Sequence, residues 1–246
     1  MSQRLFFLCL CLFCSHVSAA EVQVAVAANF SAPMKRIAEA FEKDVGHKVV
    51  PAYGSTGKFY SQISNGAPFD VFLAADVETP LRLEKEGFAV VGSRVTYATG
   101  RLVLWSASTT LVDDNAAVLV RNDFKHLATA ASKVAPYGVA AIQTLTKMGL
   151  LSSVQPKLVT GESIGQTFSM VSTGNADLGF VAMSQVFENG KLRSGSAWVV
   201  PANLHTPLRQ DAVMLVRGKA NPAALQLLTY LKSAQAKTIM KSYGYE

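Results

Sequence analysis

Four short stretches of this chain place Ser, Thr, Asn, Tyr and glycine where an apolar, strand-like run gives way to a helical pattern. They are Val24–Phe30 (VAVAANF), Val49–Lys58 (VVPAYGSTGK), Val134–Ala141 (VAPYGVAA) and Leu158–Gln166 (LVTGESIGQ). The start of a helix leaves its first N–H groups without acceptors and carries partial positive charge, so each junction is a ready anion site. One such junction is routine in an α/β protein. Four of them, rich in small and hydroxyl-bearing residues and poor in charge, predict neutral donors converging on one oxyanion. The donors read from the residues themselves are the Asn29 amide, the hydroxyls of Ser55 and Thr56, Tyr137 and the N–H groups around Ser163-Ile164-Gly165. Each has an ordinary alternative: Asn29 is also a good helix cap, and a loop tyrosine is commonly a packing residue.

Catalytic and cofactor chemistries find no support in the same stretches. GSTGK at Gly54–Lys58 invites comparison with the phosphate loop G-x-x-x-x-G-K-[ST], but Ala52 holds the place of the first glycine and Phe59 that of the hydroxyl residue. No G-x-S-x-G elbow is present. His47, His126 and His205 have no paired metal-ligand spacing, and Asp70, Asp76 and Asp177 border strands, where caps and turns use Asp. The expectation is a binding protein that is not an enzyme, with no cofactor and no metal site.

The ends and the composition bound where such a protein works. Arg4, the apolar run Leu5–Phe13 and the small residues Val17–Ala20 have the order of a cleavable export signal, so residues 1–20 are expected to be removed. Cys9, Cys11 and Cys14 all lie inside it, which leaves a cysteine-free product of about 226 residues that must be held by its core. Removing Arg4 lowers the net charge from +6 to +5, with 22 Lys+Arg against 17 Asp+Glu. The basic residues are scattered, without the clustered stripe that nucleic-acid binding needs.

The elements that must position the junctions follow from periodicity. Val22–Ala28, His47–Ala52 and Asp70–Ala75 read as strands separated by helices at Ala32–Lys43 and Phe59–Ser64, with Pro33 in a first turn and Gly46 as a stop. Asp76 is placed to cap the helix that follows. This β-α-β-α-β run predicts a mainly parallel sheet covered on both faces. Arg101–Ser106 is a strand with no crossover helix before it. A second α/β set follows, with helices at Tyr137–Met148 and Gln166–Ser172, and strands at Leu158–Thr160, Leu178–Ala182 and Trp198–Val200. Ala212–Val216 then reads as a strand, and Pro222–Lys241 as one closing helix with Leu225, Leu228 and Leu231 on a shared face. Crossings near residues 97–102 and 205–212 predict two lobes, 21–99 plus 208–246 and 100–207, with a cleft between them; one large doubly wound sheet is the alternative.

At its junctions the chain resembles the molybdate-binding proteins of bacterial ABC importers, a ModA-type family of periplasmic binding proteins. The likeness spans the mature chain, through VAVAANFSAPM at Val24–Met34, GSTGKFYSQISNGAPFDVFLAAD at Gly54–Asp76, GRLVLWS at Gly100–Ser106, ADLGFVAMSQV at Ala176–Val186 and the terminal KSYGYE. It implies a type II periplasmic binding protein fold, an α/β architecture whose two lobes close on a tetrahedral dianion held by uncharged donors. By position it implies ligand contacts from Ala28 (backbone), Asn29, Ser55, Thr56, Tyr137 and Ile164. Some members add a tyrosine hydroxyl where this chain has Ala182, and Tyr137 is the candidate replacement. It further implies a monomer in the periplasm that binds molybdate or tungstate and delivers it to an inner-membrane ABC permease, with no nucleic-acid partner. Another tetrahedral oxyanion, or an exported anion sensor uncoupled from transport, is the competing reading.

Overall fold

The computed structural model describes residues 19–246. The expected export signal lies outside the described residues except for Ala19 and Ala20. Ala20 is already tied in: its N–H donates to His47 Nδ1 and its carbonyl accepts from the Lys48 N–H.

The first lobe is built from β1 (Glu21–Ala27), α1 (Ser31–Val45), β2 (Lys48–Gly54), α2 (Thr56–Ser64), β3 (Val71–Leu73), α3 (Glu78–Lys85) and β4 (Val95–Gly100). The chain then passes through Arg101 into β5 (Leu102–Ser106) and the second lobe. There follow α4 (Ala117–Arg121), β6 (Leu127–Ala130), α5 (Pro136–Lys147), α6 (Leu151–Val154), β7 (Leu158–Gly161), α7 (Ile164–Ser172), β8 (Leu178–Ala182) and α8 (Met183–Val186). A small hairpin, β9 (Phe187–Glu188) and β10 (Lys191–Leu192), leads to β11 (Ser196–Val199). β12 (Leu208–Met214) returns the chain to the first sheet, and α9 (Pro222–Tyr230) and α10 (Ala234–Ser242) close it.

The two five-stranded sheets run β2-β1-β3-β12-β4 and β11-β5-β8-β6-β7. β1 pairs in parallel with β2 and β3, and β6 in parallel with β7 and β8. β12 is antiparallel to both its neighbours, as is β5. Each sheet therefore has four strands running one way and one reversed. The reversed strand is in each case the one that has just arrived from the other lobe, which is why no crossover helix precedes it.

Helix periodicity decides which faces are buried. In α1, Met34, Ile37 and Phe41 recur at three- and four-residue spacing and are fully buried against Val22, Val24 and Val26 of β1. Gly46 ends this helix in the left-handed region at φ +78°, its N–H donating to Glu42 O. In the second lobe, Tyr137, Ala140, Ala141 and Leu145 of α5 pack on Leu102 and Leu104 of β5, Leu127 of β6 and Phe180 of β8. Ala27, Ala28 and Ala75 of the first lobe belong to that same apolar cluster, so the lobes touch through small side chains.

The structure corrects the closing helix in two respects. It is two helices, because the Ser233 Oγ accepts from the Ala236 N–H and starts α10 afresh. Its buried face is Ala224, Leu227, Leu228 and Leu231, while Leu225 is 61% exposed. β12 also begins four residues before the expected Ala212, since Arg209, Gln210 and Asp211 interrupt the apolar pattern yet continue the ladder with β4.

Candidate functional site

Ala28, Asn29, Ser55, Thr56, Tyr137 and Ile164 line one narrow cavity between the lobes, together with Ala27, Gly54, Ala75, Ala135 and Pro136. Its volume is about 10 Å³, the room of roughly one water. No lining residue carries a charge. The cavity lies where β1 and β2 end and where α2, α5 and α7 begin, so three helix N-termini border it.

Ser55 precedes α2 in extended conformation, and its side chain makes no capping bond. Its Oγ is buried and has no hydrogen-bond partner. A buried hydroxyl without a partner costs about 1–3 kcal/mol, so this group is poised for an acceptor from outside the chain. Thr56, the first residue of α2, is 1% exposed; its Oγ1 accepts from the Ala75 N–H at 3.0 Å. That bond uses one of the two oxygen lone pairs and leaves the Thr56 hydroxyl proton available to donate.

Pro136 starts α5 and Tyr137 follows it, so the Tyr137 N–H falls in a first turn that offers no acceptor. The Ile164 N–H opens α7 in the same way. Ser163 caps that helix through Oγ, accepting from the Gln166 N–H at 3.3 Å, and Gln185 Nε2 donates to Ile164 O at 3.1 Å.

Asn29 departs from both readings of its side chain. It caps no helix, and both amide protons are committed within the protein, to Gln210 Oε1 at 2.8 Å and the Tyr245 hydroxyl at 3.0 Å. Its backbone carbonyl accepts from Ser184 Oγ at 2.6 Å and Tyr245 at 2.9 Å. Tyr137 joins the same cluster, its hydroxyl accepting from Gln210 Nε2 at 3.2 Å. Tyr97 donates to Ala74 O at 2.9 Å and lies 3.0 Å from Gln210 Oε1. Ala182 is fully buried in β8 and is not among the lining residues.

The lobes meet beside the cavity. The Gly57 N–H of α2 donates to Val134 O across the cleft at 2.9 Å, and Lys58 pairs with Glu162. A Cβ on Gly165 would lie 3.3 Å from that of Ala28. A larger cavity of about 470 Å³ shares Ala75, Ala135 and Pro136 with the small one and holds Asp76, Lys133 and Arg209. Among the described residues, no group of three or more His, Cys, Asp or Glu is arranged to hold a metal ion.

The sequence pattern of the bacterial extracellular solute-binding proteins matches residues 22–246. A molybdate-binding protein ModA of Azotobacter vinelandii is 62% identical over 227 residues, covering 92% of this chain and 90% of its own. The chain belongs to the ModA-type family of bacterial extracellular solute-binding proteins. A second ModA relative, from Rhodobacter capsulatus, is 50% identical over 93% of this chain and 89% of its own. The solved periplasmic molybdate-binding protein of Azotobacter vinelandii superposes with a TM-score of 0.89 at 42% identity, covering 92% of this chain and 98% of that one. Such agreement over both lobes makes this the type II binding-protein fold of the ModA family.

Burial pushes the phenols behind the cavity upward: Tyr97 and Tyr137 well above their ordinary value, and Tyr245 to about 12. All three stay neutral at physiological pH. An acid whose folded pKa is raised adds stability that is complete below the unfolded value near 10 and is lost as pH climbs through the folded one. For this ModA-type chain, thermal unfolding is therefore expected to hold its midpoint up to about pH 10 and to fall steeply between about 10 and 12. Replacing Tyr245 by Phe is expected to flatten that fall.

Proposed function

We propose that this protein captures molybdate, and tungstate with it, in the small interlobe cavity and delivers it in the periplasm to an ABC permease of the inner membrane. The observation that carries the reading is the Ser55 hydroxyl, buried and without a partner in an uncharged cavity bordered by three helix starts. It is supported by relatives at 62% and 50% identity that are named for molybdate binding. The donors are Ser55 and Thr56 through their hydroxyls, and Ala28, Asn29, Tyr137 and Ile164 through backbone N–H groups. Tyr137 also contributes the wall of the cavity.

Hydrogen bonds to a charged acceptor contribute about 1.5–3 kcal/mol each, and exclusion of water strengthens them. Five to seven such bonds, as a rough count, offset much of the cost of desolvating a dianion. Donors fixed in backbone accept no proton, so a fully deprotonated tetrahedral anion is favoured over hydrogen phosphate, whose O–H would meet a donor. Between molybdate and sulfate, equal in charge and shape, size decides. Both lobes close over the cavity, so they part to admit the anion and shut again on it. The bodies that move are residues 21–99 with 208–246, and 100–207, turning about the two crossings. The protein acts as a monomer and not as an enzyme.

Calorimetric titration of the purified protein with molybdate, tungstate, sulfate and phosphate tests this. Tight binding of the first two and weak binding of the others is the expected result. Tight binding of sulfate alone removes the proposal.

A further inference from the structure

Behind the cavity, six polar side chains are buried together: Asn29, Tyr97, Tyr137, Ser184, Gln210 and Tyr245. At the centre is Gln210, fully buried on β12, the strand that brings the chain back from the second lobe. Its carboxamide is divided between the lobes. Oε1 accepts from Asn29 Nδ2 at 2.8 Å and sits 3.0 Å from the Tyr97 hydroxyl, both in the first lobe. Nε2 donates to the hydroxyl of Tyr137, in the second lobe, at 3.2 Å.

The surrounding backbone is shaped to permit this. The ladder between β12 and β4 shifts register between Gln210 and Asp211. Gly100, at the outgoing crossing, lies against both partners: a Cβ there would stand 2.0 Å from the Tyr137 hydroxyl and 2.5 Å from Gln210 Nε2. The contact between Gln210 and Tyr137 thus sits where both crossings pass. Asn29 and Tyr137, the residues that Gln210 joins, both line the anion cavity.

We infer that Gln210 is a positioning residue for the oxyanion site, fixing Asn29 and Tyr137 in register across the hinge so that the lobes stay shut on their guest. Gln210 itself does not line the cavity. It holds the two walls by one acceptor and one donor, and the price of losing it falls on the closed, occupied form. This rests on the reading that the cavity binds molybdate.

The test measures molybdate affinity and dissociation rate, by calorimetry and stopped-flow, in the wild type, Gln210→Met and Tyr137→Phe. Gln210→Met keeps length and removes both bonds; Tyr137→Phe keeps the backbone N–H at the cavity and removes only the hydroxyl to which Gln210 donates. Gln210→Met is expected to weaken binding by about 10- to 100-fold, nearly all of it in a faster dissociation rate. Tyr137→Phe is expected to lose part of that and to serve alone if Gln210→Met fails to fold. A merely structural role would lower the melting temperature with or without molybdate and leave the dissociation rate unchanged; that result overturns the inference while the anion site stands. A wild-type protein that does not bind molybdate removes both.

Discussion

Gly57→Leu is expected to raise the dissociation constant for molybdate at least about 100-fold while leaving the melting temperature within a few degrees of wild type. Gly57 stands in the first turn of α2, and its N–H reaches Val134 O in the other lobe at 2.9 Å. A Cβ at this position would lie 2.9 Å from Val134 Cα and 3.0 Å from its Cβ. Backbone on both sides leaves little room to yield, so a leucine acts as a wedge between the lobes. It does not disturb either core, because the contact is made only across the cleft. If the variant leaves the closed arrangement about 1% populated, apparent affinity falls by that factor. Calorimetry together with the radius of gyration in saturating molybdate measures it: the variant should stay expanded where the wild type contracts. The neighbouring pair of Lys58 and Glu162 is exposed and is expected to matter far less. Unchanged affinity in Gly57→Leu would mean that the lobes do not need this contact to hold an anion.

The four junctions were legible because each is local. A strand, a small-residue turn and a helix start can be read within ten residues, and Ser55, Thr56, Tyr137 and Ile164 stand where such a reading places them. What joins them was not legible. Asn29 meets Gln210 across 181 positions of sequence and Tyr245 across 216. Nothing in ANF announces that its amide serves a distant strand and the chain's penultimate residue in place of a nearby helix. One signal was available in β12: Gln210 and Asp211 are adjacent and polar, and adjacent strand residues point to opposite faces, so a sheet covered on both sides must bury both. The continuous apolar run begins only at Ala212, which masks that the strand starts at Leu208. Both sheets were expected to be mainly parallel from their β-α-β order. The reversal of β5 and β12 follows from the crossings, where a strand enters a sheet directly from the neighbouring lobe with no helix to turn it round.

Ser55→Ala is expected to separate affinity from stability. The Ser55 hydroxyl is buried and makes no hydrogen bond within the chain, while Ser55 itself precedes α2 without using its side chain as a cap. Removing it deletes a desolvated group and no protein contact, so the unliganded chain is expected to gain stability of about 1 kcal/mol. The same change removes the hydroxyl proposed to donate to the anion, and a bond to a charged acceptor contributes about 1.5–3 kcal/mol, or roughly 10- to 150-fold in affinity. Thr56→Val provides the contrast, for its Oγ1 is already the acceptor for the Ala75 N–H. That N–H loses its partner, so Thr56→Val should weaken binding and also destabilise the unliganded protein. Thermal unfolding without ligand and titration with molybdate, performed on both variants, read the two effects apart. Opposite signs in stability for Ser55→Ala and Thr56→Val, with affinity lost in each, are what a site built around an incomplete hydrogen-bond set requires. Were Ser55→Ala to bind molybdate as tightly as the wild type, the unpartnered hydroxyl would not be a ligand, and the donor set would have to be drawn from the backbone and Thr56 alone.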